Sequence, residues 1–189
     1  MFFLSMGAVY SLFTATATTK TSQNSMAIVR VGFTNETTST ITSGSITKNT
    51  LILPGEKLSI SGAVQNTGDS DIYIILHFEI TLQKQDEEDT TIVDKYFTFA
   101  GSNMVEIAVL QGDNPTYTQN AKKLTANKTT LLGETVNFAL DHDFDFYEYD
   151  NSYQGATAHY CVTAKAIQFK NLDSASHATT LIMQNENKQ

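Results

Sequence analysis

Ten consecutive residues concentrate the groups that could do chemistry: Asp141-His142-Asp143-Phe144-Asp145-Phe146-Tyr147-Glu148-Tyr149-Asp150. Carboxylates at every second position could chelate a hard cation such as Ca²⁺. An EF-hand loop would also need its glycine and a terminal glutamate at fixed spacing, and neither is present. The same period of two is what a half-buried strand requires, with Phe144 and Phe146 inward and Asp141, Asp143 and Asp145 in water. The strand is the preferred reading, and the three aspartates stay as the one metal candidate.

The histidines are His77, His142, His159 and His177, and none lies in a zinc-protease spacing. His159 and Cys161 are two apart and would share one strand face. That gives two ligands where a zinc site needs three or four. A Gly-x-Ser-x-Gly elbow, a phosphate loop and the Rossmann glycine pattern are all missing. The chain therefore reads as non-enzymatic, with no catalytic residues and no cofactor. Cys161 is the sole cysteine and reads as a small strand residue, with no partner for an intramolecular bridge. The glycosylation sequons at Asn35 and Asn127 read as chance matches in a chain rich in Asn and Thr.

Composition points to a polar, sheet-forming chain. Of 189 residues only 17% are charged, against about 25% in ordinary globular chains. Thr, Ser and Asn fill the gap, and Thr suits a half-exposed pleated surface. The net charge of −8 disfavours nucleic acid and anionic membrane surfaces as partners.

The elements that must carry these residues read as strands. Asp71 to Leu82 alternates almost strictly: Ile72, Ile74, Leu76, Phe78, Ile80 and Leu82 share one face, with Ile75 the exception on the other. Lys57 to Val64 repeats the pattern more weakly. Leu53-Pro54-Gly55-Glu56 and Gln65 to Ser70 are turns. Further strands are expected at Met26 to Phe33, Thr91 to Phe99, Met104 to Leu110, Glu134 to Leu140, Asp143 to Tyr149, Ala156 to Phe169 and Ala178 to Met183. Gln111 to Lys128 reads as a long loop, or a short helix around Asn120 to Ala126. The sum is an all-β, jelly-roll-like sandwich of about eight to ten strands.

Met1 to Leu12 is apolar and uncharged, about the length of a signal-peptide core and too short to span a bilayer. Its expected cleavage point is between Ser11 and Leu12. A basic leader segment is missing, since no Lys or Arg precedes Lys20.

Three segments, taken in order, resemble the TasA/camelysin family of secreted bacterial matrix proteins. The first is Gly7-Ala8-Val9-Tyr10-Ser11-Leu12-Phe13, a Thr-rich stretch and Asn24-Ser25-Met26. The second is Leu53-Pro54-Gly55-Glu56-Lys57 followed by Val64-Gln65-Asn66-Thr67-Gly68. The third is Asn151-Ser152-Tyr153-Gln154-Gly155 followed by Ala164-Lys165-Ala166-Ile167-Gln168. Residues from about 83 to 130 match nothing in the family pattern. The resemblance implies a jelly roll, export through a dedicated signal peptidase, and extracellular fibres in which the N-terminal strand of one subunit completes the sheet of the next. Some family members have been called metalloproteases; the ligand count here gives that label no support.

The organisation expected is a partial signal peptide at 1–11, an N-terminal donor strand at 12–33, a jelly-roll domain at 34–184 and a disordered tail at 185–189. Self-assembly is assigned to Phe13, Thr14, Ala15, Thr16, Ala17 and Thr18, whose alternating Thr and Ala suit an added strand. The expected partners are copies of the chain itself, with other matrix or anchoring proteins as further candidates, in the extracellular matrix or at the cell surface. No nucleic acid is expected, and no membrane after cleavage. A rival is a monomeric carbohydrate- or surface-binding jelly roll, using the aromatic stretch from Phe144 to Tyr153 as a platform.

Overall fold

A computed structural model describes residues 31–35, 38–42, 45–51, 55, 57–84, 88–112, 115–145, 148, 153, 156–170 and 172–186. The strands are β1 (Val31–Asn35), β2 (Thr38–Thr42), β3 (Ser45–Leu51), β4 (Lys57–Asn66), β5 (Ile72–Gln83), β6 (Thr90–Ala100), β7 (Asn103–Glu106), β8 (Val109–Leu110), β9 (Thr116–Tyr117), β10 (Lys122–Leu124), β11 (Thr135–Asp143) and β12 (Thr157–Gln168). One sheet has the order β11-β4-β1-β2. The other runs β3-β12-β5-β6-β7, with β10 also pairing β5, and β8 with β9 makes a small ribbon. All pairings are antiparallel. Among the described strands the chain crosses between the two sheets at β2–β3, β3–β4, β4–β5, β10–β11 and β11–β12, which makes the fold an all-β sandwich.

The alternating residues of β5 build the centre of the core. Ile72, Ile74, Leu76 and Ile80 are fully buried, with Phe78 and Leu82 nearly so. Across the ladder, β12 sets Ala158 beside Leu82, Tyr160 beside Ile80, Val162 beside Phe78 and Ala164 beside Leu76. The facing sheet contributes Val31, Ile60, Val64, Phe138 and Leu140. Burying these side chains stabilises by about 1.5–3 kcal/mol each before entropy is charged against it.

The exception at Ile75 has a physical reason. Tyr73 and Ile75 point to the outer face of the large sheet, where Ile167, Ile107 and Ala121 join them. A helix, α1 (Ala175–Glu186), covers this strip with Ala178, Ile182 and Met183. The expectation of a strand at Ala178 to Met183 is therefore corrected. The residues facing the sheet are Ala175, Ala178, Thr179, Ile182 and Met183, the i, i+3, i+4, i+7, i+8 stripe of a helix. Thr179 hides this period in the sequence because it is polar, yet it is buried. Its hydroxyl accepts from Ala121 N at 2.7 Å and donates to Ala175 O at 3.0 Å. Ser174 caps the helix, its hydroxyl accepting from His177 N at 3.1 Å. The helix also runs through Asn185 and Glu186, where a disordered tail was expected.

Other expectations need smaller corrections. Met104 to Leu110 breaks in two, because Ile107 turns into the outer core and its N–H bonds Tyr96 O at 2.7 Å. The segment 120–126 forms no helix; Lys122, Lys123 and Leu124 extend the sheet by pairing with Ile74, Tyr73 and Ile72. Strand β11 stops at Asp143 rather than a new strand starting there. Strands β2 and β3 have no counterpart among the expected strands. Pro54 and Glu56 of the expected turn lie outside the described residues, while Gly55 takes φ of 83°, a conformation glycine adopts without strain.

Candidate functional site

Strand β11 ends the smaller sheet, and among the described residues it pairs with β4 alone. Its register runs unbroken from Thr135 opposite Gln65 to Asp143 opposite Lys57. Asn66 N donates to Glu134 O at 3.1 Å, which fixes the phase of the antiparallel ladder. Val136, Phe138, Leu140 and His142 turn their backbone groups toward β4. Thr135, Asn137, Ala139, Asp141 and Asp143 turn theirs to the edge. Phe138 and Leu140 are buried in the core, whereas the edge-phase residues are exposed.

The start of this edge is latched. Asn66 is fully buried, and its side-chain amide donates to Ser70 O at 2.9 Å and Leu124 O at 3.2 Å. Its side-chain oxygen accepts from Gly68 N at 3.0 Å. Its backbone carbonyl accepts from Gly133 N at 2.8 Å. Glu134 N donates to Thr125 O, and the Glu134 carboxylate accepts from Thr125 N at 3.0 Å. Gly133 is required by this packing, since a Cβ there would lie 2.3 Å from the Thr125 carbonyl oxygen. One asparagine thus ties the β4–β5 turn, the end of β10 and the start of β11 together. The sequence marked Asn66 as a turn former; its long-range bonds to the β10–β11 loop could not be read there.

Beside the latch is an open cleft of about 340 Å³, lined by Gly101, Ser102, Lys122, Glu134, Thr135, Val136 and Asn137. It lies between the β6–β7 turn, β10 and the first half of β11. An extended segment added to the β11 edge would run along it. The edge is uncharged from Thr135 to Leu140 and acidic only at Asp141 and Asp143.

The candidate metal residues sit at that acidic end. Asp141 and Asp143 are exposed in β11, and Asp145 is exposed just past it, while Phe144 is buried. Among the described residues no group of three or more His, Cys, Asp and Glu side chains is placed to hold a metal ion. His142 faces inward, its ring edge-on to Phe144 at 4.9 Å between centroids. Burial holds the His142 ring below its ordinary value near 6.5 and so favours the neutral form. Asp143 and Glu148 oppose that, and Lys95 adds to it.

The remaining histidines are dispersed. His77 stacks on Tyr96 at 4.5 Å and bonds Asp94 at 2.7 Å. His159 contacts Gln83 at 3.1 Å, and Cys161 contacts Thr163 at 3.6 Å. His159 and Cys161 do share the outer face of β12, two positions apart along the strand. His177, in the first turn of α1, pairs with Asp173 just ahead of the helix at 3.5 Å. The aromatic platform of the rival reading loses its first member, since Phe144 belongs to the core. Tyr153 packs partly against that core, with Lys84 Nζ 4.1 Å from its ring centroid. Phe146, Tyr147 and Tyr149 lie outside the described residues, as do Ser11, Leu12 and Phe13 to Thr18.

Fold and edge together define an all-β sandwich with a latched strand, β11, that ends the smaller sheet among the described residues. No protein-family model, curated protein or solved structure matches the chain.

Proposed function

We propose that the chain is a secreted, non-enzymatic structural subunit that assembles head-to-tail into extracellular fibres by strand addition. The donor is Phe13 to Thr18, and the acceptor is the β11 edge of the next copy. The observation that carries the reading is that edge: nine residues with one partner strand among the described residues, uncharged over its first six, beside an open cleft. A strand at the end of a sheet is a template for an incoming strand unless charge, proline or a bulge blocks it, and from Thr135 to Leu140 β11 carries none of these. The family resemblance of the first 26 residues supports the choice of donor. Donor and acceptor are different surfaces, so the contact propagates into open filaments unless the rotation closes a ring.

The test compares three mature forms by electron microscopy and light scattering. The form starting at Leu12 should give filaments, and the form starting at Met26 should stay monomeric. Proline at Thr16 and Thr18 removes two N–H donors from the added strand and should block growth without unfolding the domain. An Ala139→Lys change in the full form should block growth from the acceptor side. Filaments from the truncated form as good as those from the full one would overturn the donor assignment. Unimpaired growth of Ala139→Lys would overturn the acceptor.

A further inference from the structure

We draw no further inference here: the strongest candidate, the exposed apolar tip of the β10–β11 loop where Leu131 holds a left-handed backbone (φ 56°) beside the exposed Leu132, carries nothing because nothing in the structure shows what covers it.

Discussion

Replacing Asn66 with Ala should cost about 3 kcal/mol and loosen β11 before the rest of the sandwich. The side chain makes three hydrogen bonds, two as donor and one as acceptor. Each contributes about 1 kcal/mol net, which gives that sum, and the loss at a buried carbonyl left without its donor, about 1–3 kcal/mol, is counted within it. The Leu124 carbonyl is the group most exposed to that penalty, because its bond to Asn66 is buried. Asn66→Asp should be worse. It keeps an acceptor for Gly68 N but sets a carboxylate against two carbonyl oxygens in a site with no exposure. Urea unfolding measures the change. With a slope of about 1–3 kcal/mol per molar, the midpoint should fall by about 1–3 M at an unchanged slope. Amide exchange locates it: Val136, Phe138, Leu140 and His142, whose N–H groups face β4, should lose protection while Ile74 to Ile80 keep theirs, since local opening follows the weakest cooperative unit. A cost below about 1 kcal/mol with unaltered exchange along β11 would refute the latch.

Gly133→Ala should destabilise by about 1–3 kcal/mol in the same assay, because the added carbon meets the backbone atoms of Thr125, Asn66 and Ala126; a neutral outcome would refute the requirement for glycine at this position. Burial holds His142 neutral in the folded chain, so the unfolded chain binds more protons just below pH 6.5. Stability is then complete above about pH 6.5 and falls as the pH drops from there through the lowered folded value. Urea midpoints of the wild type and His142→Gln from pH 7.5 to 5 should converge as the wild type loses its advantage, and parallel curves would contradict the assignment. Ser174→Ala removes the cap of α1 and should cost about 1 kcal/mol. Exchange should rise first in the first turn of the helix, at Ser176 to Thr179.

Legibility followed side-chain period and local turn chemistry. The inward face of β5 could be named residue by residue because one strand carries six aliphatic or aromatic side chains at period two. β12 and β4 were readable for the same reason. Helix α1 was not: a six-residue window of Ala, Thr, Thr, Leu, Ile and Met fits either period, and only the helix stripe continued to Ala175 separates them. Its signal lay elsewhere, in Ile75, an apolar residue on a face that should have been wet. Strands β2 and β3 lacked an apolar alternation to find, being built of Ser, Thr, Lys and Asn around single Ile and Leu residues. Of the acceptor, the strand was readable but its edge position was not, because sheet order depends on pairings far apart in sequence.

The placement of α1 bears on which surfaces are left for self-association. β5 lies at the centre of the large sheet and is buried on both faces over Tyr73 to Leu76, by the facing sheet on one side and by α1 on the other. Beyond the helix the outer face is polar and tied to itself: His77 to Asp94 and Tyr96, Thr81 to Glu79, His159 to Gln83. Stacking another copy on that face would bury these groups, and a polar group taken from water without a new partner costs about 1–3 kcal/mol. Strand addition at an edge has no such opposition, because the incoming backbone satisfies the donors and acceptors it covers. Face-to-face stacking is therefore penalised where the described surface is polar and blocked where α1 sits. For the proposed polymer, edge pairing is thus cheaper than stacking on this face, and β11 offers an edge whose first six residues carry no charge to repel an incoming strand.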